Sequence, residues 1–512
     1  MRALLSVSDL TGLPAFAAGL RELGWELYAT DGTRRALKSE GVDALPVSDL
    51  TGTESLLEGR VKTLHPQIHA ALLARRDNPT HMNELRASSI VPIDLVAVNL
   101  YRFADAVRAG IRGPELIDQI DIGGVTLLRA AAKNHDGVVV VSRPDRYPTV
   151  LEELRASGDV SHDLRSRLGA EAFAHTAAYD AQIASQLNAE LGTLFPDELT
   201  IALGKVRDLR YGENPHQSAA FYAVRAEDGM MTSLVQLHGR QTSFNNMLDL
   251  DTAWQIANDF PQPTVAIVKY TNPCGIASHD DVAEAYKAAF ACDTVSAFGG
   301  ILGVNRPVTA AFAEAMRETF YEAIIAPEYE ERALEVLRER RNLEVLLGSG
   351  EGARARRRDR RVFDYKRVAG GMLVQTPDEP LEDQSSFRVV TERHPTLEEL
   401  TDLLFAWRCV RHVKSVAIVL AKGLATVGIG PGQISRVVAV EVAVRKAGER
   451  ARLAVMASDA YFPFPDGIEV AARAGVTAII QPGGSVRDQM MIDTANRHRM
   501  AMLFTGRRHF RH

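Results

Sequence analysis

A few short segments hold side chains whose types and spacing could do chemistry. In GRVKTLHP, residues 59–66, Arg60, Lys62 and Thr63 put two cations and a hydroxyl within four positions. In an extended chain residues two apart share a side, so Arg60 and Lys62 can face one anion. Pairing with surface carboxylates is the plainer alternative. Thr30, Asp31, Gly32 and Thr33 offer backbone N–H groups at a helix start, which suits phosphate. In QIDIGGVT, residues 119–126, Asp121 lies between isoleucines and just before Gly123 and Gly124. That describes a carboxylate in an apolar place beside closely approaching backbone, where its proton affinity rises and acid–base work becomes available. A helix N-cap is the alternative. Lys133 ends the helix that follows, where a cation complements the dipole with or without a chemical role. Residues 124–133 as one helix span roughly 13 Å, so Asp121 and Lys133 reach opposite ends of a ligand rather than one atom. Lys269 follows the apolar run 264–268. A lysine at the end of a buried strand gives up its proton more readily, or else it simply snorkels.

These residues need elements to hold them. Residues 2–8 and 25–30 read as strands, and Leu13, Phe16, Ala17 and Leu20 fall at helical spacing. A turn at Asp31-Gly32 leads into a helix over 33–40. Apolar runs at 94–100 and 138–141 read as buried strands. The alternation predicts a parallel α/β sheet with helices on both faces. Ligands of such sheets sit beyond the carboxyl ends of the strands, which adds Ser8 and Asn99 to the candidates, at residues 6–9 and 99–101. A helical stretch over 165–187 and a linker over 192–200 close the first half. The expected domains are 1–195 and 196–512, the second divided near Gly370-Gly371. Strands are expected there at 264–268, 416–420, 453–456 and 478–480. No short repeat stands out.

The bulk numbers fit this picture. A chain of 512 residues exceeds what one core usually serves. Apolar residues at 46% and charged residues at 24% are ordinary for a soluble globular protein. A net charge of -6 gives no overall pull toward nucleic acid or anionic membrane, so phosphate recognition must be local. The run ARARRRDRR, residues 353–361, reads as a solvated charged segment, with RNA binding the lesser alternative. Cys274, Cys292 and Cys409 are odd in number and far apart, which argues against a disulfide framework and for the cytoplasm. The N-terminus lacks a signal-peptide layout, and no run is long and apolar enough to span a bilayer. The deaminase zinc motif H-x-E…P-C-x-x-C and the P-loop are absent, so neither a catalytic metal nor ATP hydrolysis is expected.

The segments VKTLHPQIHA, VNLYRF and IDIGGVTLLRAAAKNH together resemble the cyclohydrolase domain of the bifunctional AICAR transformylase/IMP cyclohydrolase family. The second half continues the resemblance with LRYGENPHQ, FNNMLDLDTAW, VKYTNPCG, DTVSAFGGI, GIGPGQISRV, ASDAYFPFPDGI, QPGGSVRD and FTGRRHFRH, so nearly the whole chain is covered. The resemblance implies a methylglyoxal-synthase-like first domain and a second part of two cytidine-deaminase-like units. It implies formyl transfer from 10-formyltetrahydrofolate to AICAR, then closure of FAICAR to IMP. It places Lys62, Tyr101, Asp121 and Lys133 at the cyclohydrolase site, with Ser8, residues 30–33, Arg60 and Thr63 near phosphate. At the transformylase site it implies Lys269, with Arg210, Tyr211, Arg436, Tyr461, Arg508 and His512 as ribotide contacts and Phe462, Pro463, Phe464 and Asp466 toward folate. A homodimer is implied, and a structural monovalent cation is compatible with it.

Three positions depart from the family pattern. Leu10 stands where Lys is common. Tyr270 follows Lys269 where a catalytic His is usual, and Val416 follows Lys414-Ser415 where Asn is usual. The Tyr270 phenol can hydrogen-bond a substrate carboxamide, which keeps it a catalytic-site candidate, but a group that titrates near pH 10 is a poor base at neutrality. Valine cannot replace an amide that both donates and accepts. These departures keep open the alternative of a cyclohydrolase with a weakened transformylase half.

Overall fold

A computed structural model describes residues 1–224, 229–348, 363–378 and 384–512. The Arg-rich run 353–361 lies outside the described residues. The chain forms two compact units, Met1–Gly204 with Val224–Ala226, and Lys205–Ala223 with Glu227–His512. Residues 191–200 carry neither helix nor strand.

The first unit is built on five parallel strands: β1 (Arg2–Val7), β2 (Glu26–Ala29), β3 (Leu45–Pro46), β4 (Leu95–Asn99) and β5 (Val139–Val141). Their order is β3-β2-β1-β4-β5, so the winding reverses between β1 and β4. β4 and β5 are apolar along most of their length and buried throughout, as strands covered on both faces must be. The helices form two packs, Leu13–Glu22 with Tyr147–Ser157, and Gly123–Lys133 with Pro66–Leu73 and His162–Glu190. Leu13, Phe16, Ala17 and Leu20 are the buried stripe of the first helix, and Phe16 stacks on Tyr147 at 4.3 Å. The helix expected from Thr33 begins at Asp31, so the Asp31-Gly32 turn is its first turn.

The second unit opens within a two-stranded sheet of β6 (Leu203–Leu209) and β7 (Ala219–Val224), of which it holds Lys205–Leu209 and Ala219–Ala223. Its main sheet has twelve strands. One half holds β8 (Val235–His238), β9 (Thr264–Lys269), β10 (Asn272–Ser278), β11 (Gly300–Val304), β12 (Tyr321–Ala326) and β13 (Glu344–Leu347). A separate hairpin of β14 (Asp364–Val368) and β15 (Gly371–Gln375) follows, with Gly370 and Gly371 at its turn. The other half holds β16 (Arg388–Val389), β17 (Ile418–Lys422), β18 (Ala425–Gly430), β19 (Val455–Ser458), β20 (Ala478–Gln481) and β21 (Ala501–Phe504). β10 pairs with β18, so the two halves share one mixed sheet.

The halves are topological repeats, in line with the two like units that the resemblance implies; no short repeat marks them because the period is long. In each, a helix leads to an antiparallel hairpin, whose first strand also pairs antiparallel with the next of three parallel strands. The matching residues Asp249 and Asp402, Lys269 and Lys422, and Gly275 and Gly428 all differ by 153 in number. Period-two alternation sends Val265 and Ile267 to one core and Ala266 and Val268 to another. Ile418 and Leu420, against Val419 and Ala421, do the same. The core holding Ala266, Val268, Val419 and Ala421 is shared by both repeats under the Phe244–Asn258 and Leu397–Val410 helices.

Candidate functional site

In the first unit the candidate residues gather where the winding reverses. Asn99, at the end of β4, accepts from the backbone N–H groups of Ser8 at 2.6 Å and Asp9 at 2.8 Å, and its amide donates to the Asp9 carbonyl at 3.0 Å. The Ser8 hydroxyl donates to the Leu100 carbonyl at 2.7 Å. Asn99 and Ser8 therefore spend these groups on shaping the loop after β1. Thr33 is buried, accepts from the Val7 N–H at 3.0 Å, and is approached by the Thr30 hydroxyl at 3.2 Å. No side chain caps the helix that starts at Asp31, and open space surrounds Gly32. Its first N–H groups follow the end of β2 without a side-chain cap, the kind of helix start that suits an anion.

Asp121 accepts from the Gly124 N–H at 2.7 Å, so it does cap the start of its helix. Its own N–H donates to the Tyr179 hydroxyl at 2.8 Å. A Cβ on Gly124 would lie 2.6 Å from an Asp121 carboxylate oxygen and 2.9 Å from Leu100, and one on Gly123 would lie 2.7 Å from the Thr63 hydroxyl. The two glycines are what allow Thr63, Leu100 and Asp121 to meet. Burial pushes the Asp121 carboxyl pKa up; hydrogen bonding from the Gly124 and Tyr101 backbone, and the Lys62 charge, oppose this without cancelling it. Lys62 is half-buried, and its charge reaches Asp121.

Three first-unit residues stand otherwise. Arg60 is exposed and forms an ion pair with Asp118. Lys133 is exposed at the far end of its helix, roughly 15 Å along the axis from Gly123, the separation from Asp121 that the sequence spacing predicts. Tyr101 is 44% exposed and borders a cavity of about 430 Å³, together with Arg102, Phe103, Arg108 and Tyr179. Tyr179 was missed by sequence reasoning. It lies within a long helix with nothing in its spacing to mark it, and burial pushes its phenol up to about 12. Leu10 is 46% exposed, a surface position where a cation would also be solvated.

In the second unit Lys269 ends β9 and donates to the Phe298 carbonyl at 2.7 Å. Its ammonium lies 5.7 Å from the Tyr270 ring centre. Tyr270 (74%), Phe298 (59%) and Phe320 (42%) are all exposed, and the last two rings lie 5.4 Å apart. Val416 pairs through its backbone with Gln433 in both directions, at 3.1 and 3.2 Å, while its side chain packs on the second repeat's core. The Ser415–Val416 peptide is cis. Ser415 donates to Asp459 at 2.6 Å, and Asp459 also pairs with Arg436. Arg436 is thus a largely buried ion-pair partner, not an exposed cation. Arg210 stacks on Tyr211, with its guanidinium carbon 4.8 Å from the ring centre.

Phe462 is a correction: it is fully buried, packs in the core against Gly467, and cannot wall a folate pocket. Tyr461 and Phe464 remain exposed, Pro463 is half-buried, and Asp466 opens the Asp466–Arg473 helix. The C-terminal tail is docked. His509 is buried, hydrogen bonds Asp378 at 2.7 Å and donates from its N–H to the Asp459 carbonyl at 3.0 Å. Arg508 stacks on Phe510, and Lys366 donates to the His512 main-chain oxygen at 3.0 Å. Among the described residues, no group of three His, Cys, Asp or Glu side chains is placed to hold a metal ion. No described helix is long and apolar enough to cross a membrane.

With this geometry known, comparisons with known proteins give its family. The model of the AICARFT/IMPCHase bienzyme family matches residues 131–446, and that of the MGS-like domain matches residues 12–126. A bifunctional purine biosynthesis protein PurH from Ruminiclostridium cellulolyticum is 47% identical over 514 aligned positions, covering 100% of this chain and 99% of the relative. The proteins of the same description from Acetivibrio thermocellus and Anoxybacillus flavithermus are 46% and 47% identical with the same coverage. The solved structure of ForH is 36% identical, covers 36% of this chain and 96% of its own, and has a TM-score of 0.32. A family model over more than half the chain, and relatives this similar along its whole length, mean that the chain belongs to the AICARFT/IMPCHase bienzyme family.

Proposed function

We propose that this chain formylates AICAR with 10-formyltetrahydrofolate and then closes FAICAR to IMP with loss of water. The observation that supports the closing step is the gathering of Lys62, Thr63 and Asp121 around Gly123-Gly124, on a sheet whose β2 leads into an uncapped helix start. The uncapped N–H groups take the ribotide phosphate. In closure the carboxamide nitrogen attacks the formamido carbon, and a C–N bond forms as the carbonyl oxygen gains negative charge. The Lys62 ammonium stabilises that oxyanion. Asp121, whose proton affinity is raised, takes one proton from the attacking nitrogen and passes it to that oxygen, and water departs with a second proton, from the formamido N–H, as the ring C=N bond forms. Tyr101 borders the site, and Lys133 has no part in this scheme.

In formyl transfer the AICAR amine forms a bond to the formyl carbon, the bond from that carbon to the folate nitrogen breaks, and one proton moves from amine to folate. Lys269 is the group assigned to that proton traffic. The exposed rings of Tyr270, Phe298 and Phe320 suit a flat heteroaromatic donor, which supports the folate assignment. Because Val416 carries no amide, substrate contacts there fall to its neighbours. The working form is the homodimer that the resemblance implies, tested by sedimentation. The assigned compartment is the cytoplasm, in keeping with three free, buried cysteines.

The test is a pair of variants assayed for both steps. Lys62→Ala lowers closure of supplied FAICAR by about 10²-fold or more and spares formyl transfer. Lys269→Ala does the reverse. Undiminished closure by Lys62→Ala would sink the assignment of the first unit.

A further inference from the structure

The hairpin that carries Lys269 is held in an uncommon way. Lys269 pairs with Asn272 across the two-residue turn Tyr270-Thr271, and both turn residues are left-handed, with φ of 53° and 59°. Two-residue hairpins use this geometry, but with Asn, Asp or Gly. Tyrosine resists it, and a β-branched threonine resists it more. The compensation comes from Asp249, the sixth residue of the Phe244–Asn258 helix. One carboxylate oxygen accepts from the Tyr270 N–H at 2.9 Å, and the other accepts from the Thr271 N–H at 2.5 Å. Asp249 is buried, and that burial pushes its carboxyl pKa up even though both amides favour the ion.

The second repeat carries the same device. Asp402, the sixth residue of the Leu397–Val410 helix, accepts from the Gly423 and Leu424 N–H groups, both at 2.8 Å. Those residues have φ of 61° and 57°. Lys422 stands where Lys269 does and donates to the Arg452 carbonyl at 3.2 Å. The surroundings differ: exposed aromatic rings flank Lys269, whereas Leu397, Leu424 and Leu453 line the cavity that contains Lys422.

We propose that Asp249 is a positioning residue for the one-carbon step: by gripping both amides of the Tyr270-Thr271 turn it fixes where the Lys269 ammonium stands. It acts on the reaction only through the turn, and the inference rests on the assignment of Lys269 to formyl transfer. Asp402 is the same grip on a lysine without that assignment, an internal control within one molecule. Asparagine at either position keeps one acceptor but sets an amide N–H against the second turn amide, which loosens the grip.

The experiment compares D249N, D402N and the double variant D249N/T271G as full-length chains. Acetylation of Lys269 and Lys422 by acetic anhydride is read by mass spectrometry, and formyl transfer is measured beside it. D249N alters the labelling rate of Lys269 and not of Lys422, and lowers kcat for transfer by about 10²-fold, as expected for a group misplaced by an ångström, with KM for AICAR little changed. D402N alters the labelling of Lys422 alone and leaves transfer intact. T271G restores kcat in the D249N background, because glycine takes the left-handed turn unaided. If D249N does not fold, D249E, which displaces the carboxylate by one methylene, gives the same readings. Unchanged Lys269 labelling in the Asp249 variant, or a D402N that lowers kcat equally, overturns the proposal. A wild-type chain that transfers no formyl group, while D249N still alters the labelling of Lys269 alone, sinks the functional assignment and leaves the clamp standing.

Discussion

Asp121 has two tasks that pull on one carboxylate. It caps its helix through the Gly124 N–H, and it sits where burial raises its hold on a proton. In the fold the carboxyl protonates at a higher pH than in the unfolded chain. The ionised form therefore weighs against folding at neutral pH, and stability grows as pH falls through the folded value toward about 3.9. Asp121→Asn keeps an acceptor for Gly124 and removes the charge. We expect it to melt at the same or a higher temperature at pH 7 while closure falls by about 10²- to 10⁴-fold. A variant that loses stability and activity together would assign Asp121 to structure alone. In the wild type, closure that needs the ionised carboxylate gains rate as pH rises, along a limb displaced upward from that of an ordinary aspartate, and a pH–rate profile checks it. The same residue shows how chemistry is read from sequence: isoleucine neighbours and a following Gly-Gly marked it, whereas Tyr179, its backbone partner, carried no mark.

At the scale of elements, glycines decide how closely helices lie on the second unit's sheet. A Cβ on Gly275 would lie 1.9 Å from the Ala289 carbonyl oxygen, and one on Gly428 would lie 2.2 Å from that of Ala443. Both oxygens belong to helix backbone, which cannot turn aside as a side chain can. Gly428→Ala should cost about 3 kcal/mol, at the upper end of overpacking, measured as a lowered urea midpoint with unchanged slope. An unshifted midpoint would mean that the Arg436–Ala447 helix rides up freely. The strands themselves were largely legible, since runs such as 264–268 and 478–480 are too apolar for any surface element. β19 begins at Val455 rather than Leu453 because Leu453 is left-handed, with φ of 60°, and belongs to a turn.

At the scale of the molecule, each unit has cores of its own. The first-unit cluster runs from Ala3 to Tyr179, and the second unit holds three further clusters. Independent cores predict independent unfolding, so calorimetry of the full chain should show two transitions. A fragment ending at Gly204 should fold and close FAICAR without the rest. One sharp transition, or an unfolded fragment, would show that the units depend on each other. The boundary was legible only to within a linker, because Pro196 and its polar neighbours mark a break without fixing which residue leaves the first core.

Local pattern determined the parallel sheet of the first unit, most strand positions, and the segments in which Lys62, Asp121 and Lys269 fall. Each depends on the residue itself or on neighbours a few positions away, where periodicity and backbone stiffness act. Tertiary structure alone decided that the Lys62 charge reaches Asp121, that Phe462 is core, and that Asp249 grips the Lys269 turn. Those outcomes depend on which faces pack together across long stretches of chain, and no local spacing encodes that. The 153-residue repeat is hidden from local pattern for the same reason, and only the family resemblance pointed to two like units: what the halves share is strand pairing and the placing of single residues such as Asp402 and Lys422, not a run of like letters.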